Sequence, residues 1–232
     1  MAERTAHEGH RDRLRERFLK EGLDSFEKHN ILELLLFYSI ARRDTNETAH
    51  RLIGAFGSLS AVLDAPYEEL VKIKGISENT ACLLKMIPGL SRAYQDDKYN
   101  SGELIVNSTE AAGDYLLHKY IGINHEVTSL LSMDGKGAVR NWSVVSEGSV
   151  NAAEVSTRKV VEIALRHNAT SVIIAHNHPS GIALPSRQDI ATTEKLVKAL
   201  DAVGIFLVDH IILADGDYVS MADSESLKDI FG

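Results

Sequence analysis

The residue types best suited to chemistry fall in one stretch, "AHNHPSGIALPSRQD" (residues 175–189), which holds His176, His178, Ser186 and Asp189. An apolar run, "TSVIIAH", precedes it and a helical pattern, "SRQDIATTEKLVKALDAVG", follows it. Side chains alternate along a strand, so two histidines at i and i+2 project from one face at the strand's end. Pro179, Ser180 and Gly181 then turn the chain, and Asp189 falls one turn into the next helix, where it can supply a third ligand. Two imidazoles and a carboxylate leave a tetrahedral zinc ion one open position, the arrangement of a hydrolytic rather than a structural site. Zinc in such a site lowers the pKa of water to about 7. Plainer readings compete at every residue. An H-x-H pair alone is a weak signal, Ser186-x-x-Asp189 is also a capping box, and Pro, Ser and Gly join strands to helices without any function. The conjunction at fixed spacing favours the metal site, and Ser186 can cap the helix while Asp189 binds.

The elements that must position these residues follow from periodicity. The first hundred residues read as helix throughout. "GHRDRLRERFLKEG" is amphipathic and stops at Gly22; "HNILELLLFYSI" is a strongly apolar, buried helix; "TNETAHRLIGAF" opens on good first-turn chemistry and ends at Gly57. "SLSAVLDA", "PYEELVKIK" with Pro66 at its first helical position, and "SENTACLLKMIPGLSRAY" complete the set, with Pro88 expected to kink or end the last helix. The polar stretch "QDDKYNSGE" (95–103) sets a boundary between residues 1–98 and 103–232. Beyond it helices and strands mix. "STEAAGDYLLHKY" is helical, "HEVTSLLSMD" and "GAVRNWSVVSEG" are strands joined at "DGKG", and "NAAEVSTRKVVEIALRHN" is a helix before the site; "IFLVDHIILAD" and "DYVSM" are strands after it. The expected architecture is α+β overall: an all-α N-terminal domain and a C-terminal domain with helices packed on a central sheet.

Bulk properties narrow the function classes. The chain has 232 residues, 44% hydrophobic and 25% charged, an ordinary globular composition for one or two domains. Its single cysteine, Cys82, excludes an internal disulfide framework and any site built from several thiolates. The N-terminus lacks the apolar segment of a signal peptide, and no run is long enough to span a membrane, so a cytoplasmic protein is expected. The net charge of −8 is uneven: residues 1–100 carry 15 Lys and Arg against 16 Asp and Glu, residues 101–232 carry 10 against 17. An acidic C-terminal half repels polyphosphate, so any DNA contact belongs to the first half.

His176, His178, Ser186 and Asp189 fit the pattern H-x-H-x7-S-x2-D, the signature of the JAMM (MPN-plus) zinc metalloprotease superfamily, and the wider wording "AHNHPSG…PSRQD" resembles the bacterial RadC family over nearly the whole chain. The resemblance implies a three-layer α/β/α, cytidine-deaminase-like fold for residues 103–232, with Zn2+ bound by His176, His178 and Asp189. It also implies a glutamate acting as general base, whose usual setting is the opening of an apolar strand. Glu126, in "HEVTSLLSMD", stands in that setting, and Glu154 in "NAAEVSTRKVVEIAL" is the competitor. Ser186 would hydrogen-bond the oxyanion of the attacked carbonyl. One departure is Thr157-Arg158-Lys159 where RadC-like chains carry Pro-Arg-Glu. His210 in "LVDHIIL" recurs in the family and reads as a core histidine or a partner of a ligand.

In the first half, "ELVKIKGISENTACLLKM" resembles a helix-hairpin-helix, with Gly75, Ile76 and Ser77 as candidate contacts to a DNA backbone within residues 66–94. Lys72, Lys74 and Lys85 supply positive charge there, while Glu68, Glu69 and Glu78 nearly cancel it. The hairpin reads equally as a packing element of a helical domain. Two hypotheses follow. One is a zinc-dependent metalloprotease or isopeptidase with Glu126 and Ser186 as catalytic residues. The other is a DNA-associated accessory protein with a structural or vestigial metal site. Nucleobase deamination on the shared superfold is disfavoured, because it needs H-x-E with P-C-x-x-C and Cys82 stands alone.

Overall fold

The computed structural model describes residues 6–41, 43–99, 104–148, 155–179 and 181–231. The chain forms two compact units, Met1–Ser91 and Arg92–Gly232. No helix among the described residues is long and apolar enough to cross a membrane.

The first unit is helical: α1 (Ala6–Glu21), α2 (Lys28–Leu36), α3 (Asn46–Phe56), α4 (Leu59–Asp64), α5 (Tyr67–Leu70) and the start of α6 (Glu78–Tyr99). Gly22 and Gly57, both at positive φ, end α1 and α3 as expected. Ser58 caps α4 by accepting the Ala61 amide at 3.0 Å. Leu32, Leu36, Leu52, Val62, Leu70 and Leu84 share one core. Each such side chain contributes about 1.5–3 kcal/mol on burial, enough to hold several short helices that would not persist alone. The apolar α2 also buries Glu33 completely, which its pattern did not suggest; His10 at 2.8 Å and Asn46 at 3.0 Å hold the carboxylate. Two expectations are corrected. Pro66 takes the N-cap of α5 rather than its first turn, and of the kink or end expected at Pro88 the end does not occur, because α6 continues through it. The polar residues 95–99 continue that helix to Tyr99, with Asp96 taking the Lys119 ammonium at 2.5 Å.

The second unit contains α7 (Thr109–Lys119), β1 (Val127–Met133), β2 (Val139–Glu147), α8 (Thr157–Arg166), β3 (Ser171–Asn177), α9 (Arg187–Asp201), β4 (Phe206–Ala214) and β5 (Asp217–Ser220). One sheet runs β2-β1-β3-β4-β5, with β3 and β4 parallel and the remaining neighbours antiparallel. Alternation sorts its side chains into two layers. Val127, Leu131, Ile173 and Ala175 pack with Leu116 of α7 on one face. Leu130, Val172 and Ile174 pack with Val160 of α8 and Leu196 of α9 on the other. The result is the expected arrangement, helices on both faces of a central sheet. In such sheets ligand sites form beyond the carboxyl ends of the parallel strands, and that is the end of β3 that carries His176.

Candidate metal centre

The backbone sets both imidazoles. His176 is the penultimate residue of β3, paired with Thr128 of β1 and Ile212 of β4, and its ring faces α9 because it shares parity with Val172 and Ile174. His178 extends the parallel ladder by donating its amide to the Leu213 carbonyl at 2.8 Å. Gly181 then closes a turn, its amide reaching the His178 carbonyl at 3.0 Å with φ at +84°. That turn returns the Ile182 carbonyl to 2.8 Å from Nδ1 of His178. A carbonyl only accepts, so Nδ1 carries the proton and Nε2 of His178 keeps its lone pair.

The three expected ligands converge. Nε2 of His176 lies 2.9 Å from Nε2 of His178 and 3.4 Å from Oδ1 of Asp189, and Oδ2 of Asp189 lies 3.8 Å from Nε2 of His178. Among the described residues this is the one group of three or more His, Cys, Asp or Glu close enough to hold an ion, with its ligand atoms within 4.8 Å of one another. Burial, opposed by Asp189 and reinforced by His178, lowers the His176 pKa to about 4, so its ring is neutral at neutral pH. Burial alone would raise Asp189, but hydrogen bonds from Ser186 and the nearby His176 outweigh it and hold the carboxyl below its ordinary value. A neutral His176 ring beside an ionised Asp189 carboxylate is the form in which these two groups bind a divalent cation. A donor set of two nitrogens and one oxygen suits zinc.

Ser186 and Asp189 form the capping box expected of them. The Ser186 hydroxyl accepts the Asp189 amide at 3.2 Å and the Ser186 amide donates to Oδ2 of Asp189 at 2.7 Å, a complete capping box at the start of α9. The same cap aims Oδ1 at His176. Glu126 immediately precedes β1, two residues before Thr128, whose partner in the β1–β3 ladder is His176. Its side chain is outside the ligand cluster. Glu154 and Ser180 lie outside the described residues. Arg158 is exposed on α8 and pairs with Glu162 at 2.7 Å. His210 is buried on β4 with Nε2 2.8 Å from Nδ1 of His176.

The sequence reading missed three residues. Asn177 sits between the two histidines and turns to the opposite face, where Oδ1 accepts the Val127 amide at 2.8 Å and Nδ2 donates to the His125 carbonyl at 2.9 Å. Glu126 is therefore tied to β3 on both sides. Thr193 of α9 meets His210, with 2.6 Å between Oγ1 and Nδ1. The buried Tyr120 hydroxyl lies 2.9 Å from Oγ of Ser129 and 3.0 Å from the Ala175 carbonyl, joining β1 to β3 beneath the site. Only Tyr120's neighbourhood carried a signal, an aromatic residue ending an amphipathic helix.

In the first unit, Gly75 occupies the turn between α5 and α6 at φ +100°, and a Cβ there would come 3.1 Å from Oγ1 of Thr48. The Ile76 side chain is buried in the helical core, and the Ser77 hydroxyl accepts the Thr80 amide at 3.2 Å.

Residues 106–227 match the RadC-like JAB domain family and residues 7–82 match the UPF0758 N-terminal family. A UPF0758 protein of Fusobacterium nucleatum is 33% identical over 222 residues, covering 93% of this chain and 96% of its own. One from Stenotrophomonas maltophilia is 35% identical over 212 residues, covering 91% of each chain. One from Acinetobacter baumannii is 34% identical over 217 residues, 94% of this chain and 92% of its own. The names of these relatives state no activity. With two family matches that together span most of its length and relatives aligned nearly end to end, the chain belongs to the RadC-like JAB-domain family and carries the UPF0758 N-terminal domain.

Proposed function

We propose that the second unit is a zinc-dependent hydrolase of amide bonds, a metalloprotease or isopeptidase. The observation that carries this reading is the convergence of His176, His178 and Asp189 at one end of β3, with the His178 lone pair directed into the gap. His176, His178 and Asp189 would hold a zinc ion, which would supply the Lewis acidity that makes water a nucleophile near neutral pH. Glu126, two residues before the Thr128 that pairs with His176, would take a proton from the attacking water and pass it to the departing nitrogen. Ser186 accepts the Asp189 amide through its oxygen, so its hydroxyl proton remains to be donated to the oxygen of the attacked carbonyl. The test is turnover of a pool of quenched fluorescent peptides by zinc-loaded protein. Glu126→Gln should retain zinc and lose at least about 100-fold in rate; cleavage at the wild-type rate by that variant removes Glu126 from the chemistry.

A second reading, attachment to DNA through residues 66–94, is supported by the exposed glycine turn between α5 and α6 with Lys72 and Lys74 alongside. The 2.5 Å pairing of Lys72 with Glu69 weakens it. Affinity for duplex DNA that falls steeply with salt would support this reading, and no binding at low salt would end it.

A further inference from the structure

The arrangement around Thr193 settles a question of proton placement that the ligand set leaves open. Two histidines with Nε2 atoms 2.9 Å apart can share a proton instead of a cation, if His176 carries its proton on Nε2. What decides is the group at the far side of the His176 ring. Oγ1 of Thr193 has three neighbours: the Asp189 carbonyl at 2.6 Å, Nδ1 of His210 at 2.6 Å and Sδ of Met221 at 3.7 Å. A hydroxyl has one proton. The carbonyl only accepts, and two oxygens 2.6 Å apart need a proton between them, so Thr193 donates to Asp189. Its oxygen then accepts, which puts a proton on Nδ1 of His210. His210 is 2% exposed and its two ring nitrogens meet only the Thr193 hydroxyl and the His176 ring, with no carboxylate in hydrogen-bond reach of either among the described residues, so the ring carries a single proton and its Nε2 is bare. A bare Nε2 at 2.8 Å from Nδ1 of His176 requires the donor to be His176. The proton of His176 is thereby held on Nδ1 and its Nε2 is left open, beside the open Nε2 of His178.

We propose that Thr193 and His210 are positioning residues for the metal centre: together they hold His176 in the one tautomer that offers Nε2 to a cation. The chain of bonds begins and ends on one residue, since the Asp189 carbonyl anchors Thr193 while the Asp189 carboxylate faces the His176 nitrogen. A threonine four residues after the ligand on α9 and a histidine on the neighbouring parallel strand reach this position only through the β3–β4 register, in which Ile174 pairs with His210. The inference rests on the reading of His176, His178 and Asp189 as metal ligands.

The test is zinc affinity of the full-length chain, measured by competition with a chromophoric chelator. Thr193→Val keeps the shape and removes the hydroxyl; it should weaken zinc binding about 10- to 100-fold. Thr193→Ser restores the hydroxyl and should bind within a few-fold of wild type. Equal affinity in wild type and Thr193→Val, or equal losses in folded Val and Ser variants, would overturn the relay while leaving the ligands intact. Wild-type protein that takes up no zinc would remove the metal reading and the relay with it. Nitrogen-15 NMR of the wild-type histidine rings needs no variant: His210 should be protonated on Nδ1, and protonation on Nε2 would contradict the assignment.

Discussion

Asn177 shows how much of the site rests on one side chain that binds nothing itself. Its two hydrogen bonds clamp the backbone on either side of Glu126 to the strand that carries both histidines. The Val127 amide is buried and has the Asn177 oxygen as its acceptor, so Asn177→Ala should destabilise the protein by about 2–3 kcal/mol, with the orphaned amide adding to the lost bonds. Urea unfolding with an unchanged m-value checks it; a loss under about 0.5 kcal/mol would mean the clamp is dispensable. At this scale the legibility of the sequence was uneven. His176, His178, Ser186 and Asp189 could be read because spacing within fourteen residues is enough to place them together. Asn177 read as a turn former in a turn-rich stretch, and its partners lie 50 and 52 residues away in the chain. His210 was recognised as a supporting histidine, but Thr193 looked like an ordinary helix residue, since its partner comes from another strand.

Among the elements, the loop between β3 and α9 does the fine placement. Gly181 permits the positive φ that brings the Ile182 carbonyl to the His178 ring, and a Cβ there would stand 2.6 Å from Oδ2 of Asp215. Gly181→Ala should therefore cost about 1–2 kcal/mol in stability and, because the His178 ring loses its anchor, weaken zinc binding several-fold. Thermal unfolding and zinc titration read the two effects separately; a variant indistinguishable from wild type in both would show that the turn is not required. Strands and capped helices were legible because alternation and capping are local. The continuation of α6 through Pro88 and on to Tyr99 was not, because a proline removes only one helix hydrogen bond and a polar composition does not distinguish a linker from the solvent-facing end of a long helix. Asp96, in that polar segment, is 2.8 Å from His118 and 2.5 Å from Lys119 of α7.

For the molecule as a whole, that last contact sets a pH response. Burial raises the Asp96 carboxyl, but the bonds from Lys119 and His118 outweigh it and leave the pKa below its ordinary value. A carboxyl with a lowered folded-state pKa contributes stability that is complete at neutral pH and is lost as pH falls through the folded value. Acid unfolding below pH 4 should accordingly be steeper in wild type than in Asp96→Asn; parallel curves would show that the pair adds nothing. The two-part organisation, helical first and mixed afterwards, was legible from the switch in periodicity, and the uneven charge was legible from composition alone. The proposed chemistry requires three side chains to grip one divalent ion. Metal analysis of the purified chain beside its His178→Ala variant tests this most directly: about one equivalent of zinc is predicted in the wild type and almost none in the variant, and equal zinc in both, or none in the wild type at saturating metal, would contradict it.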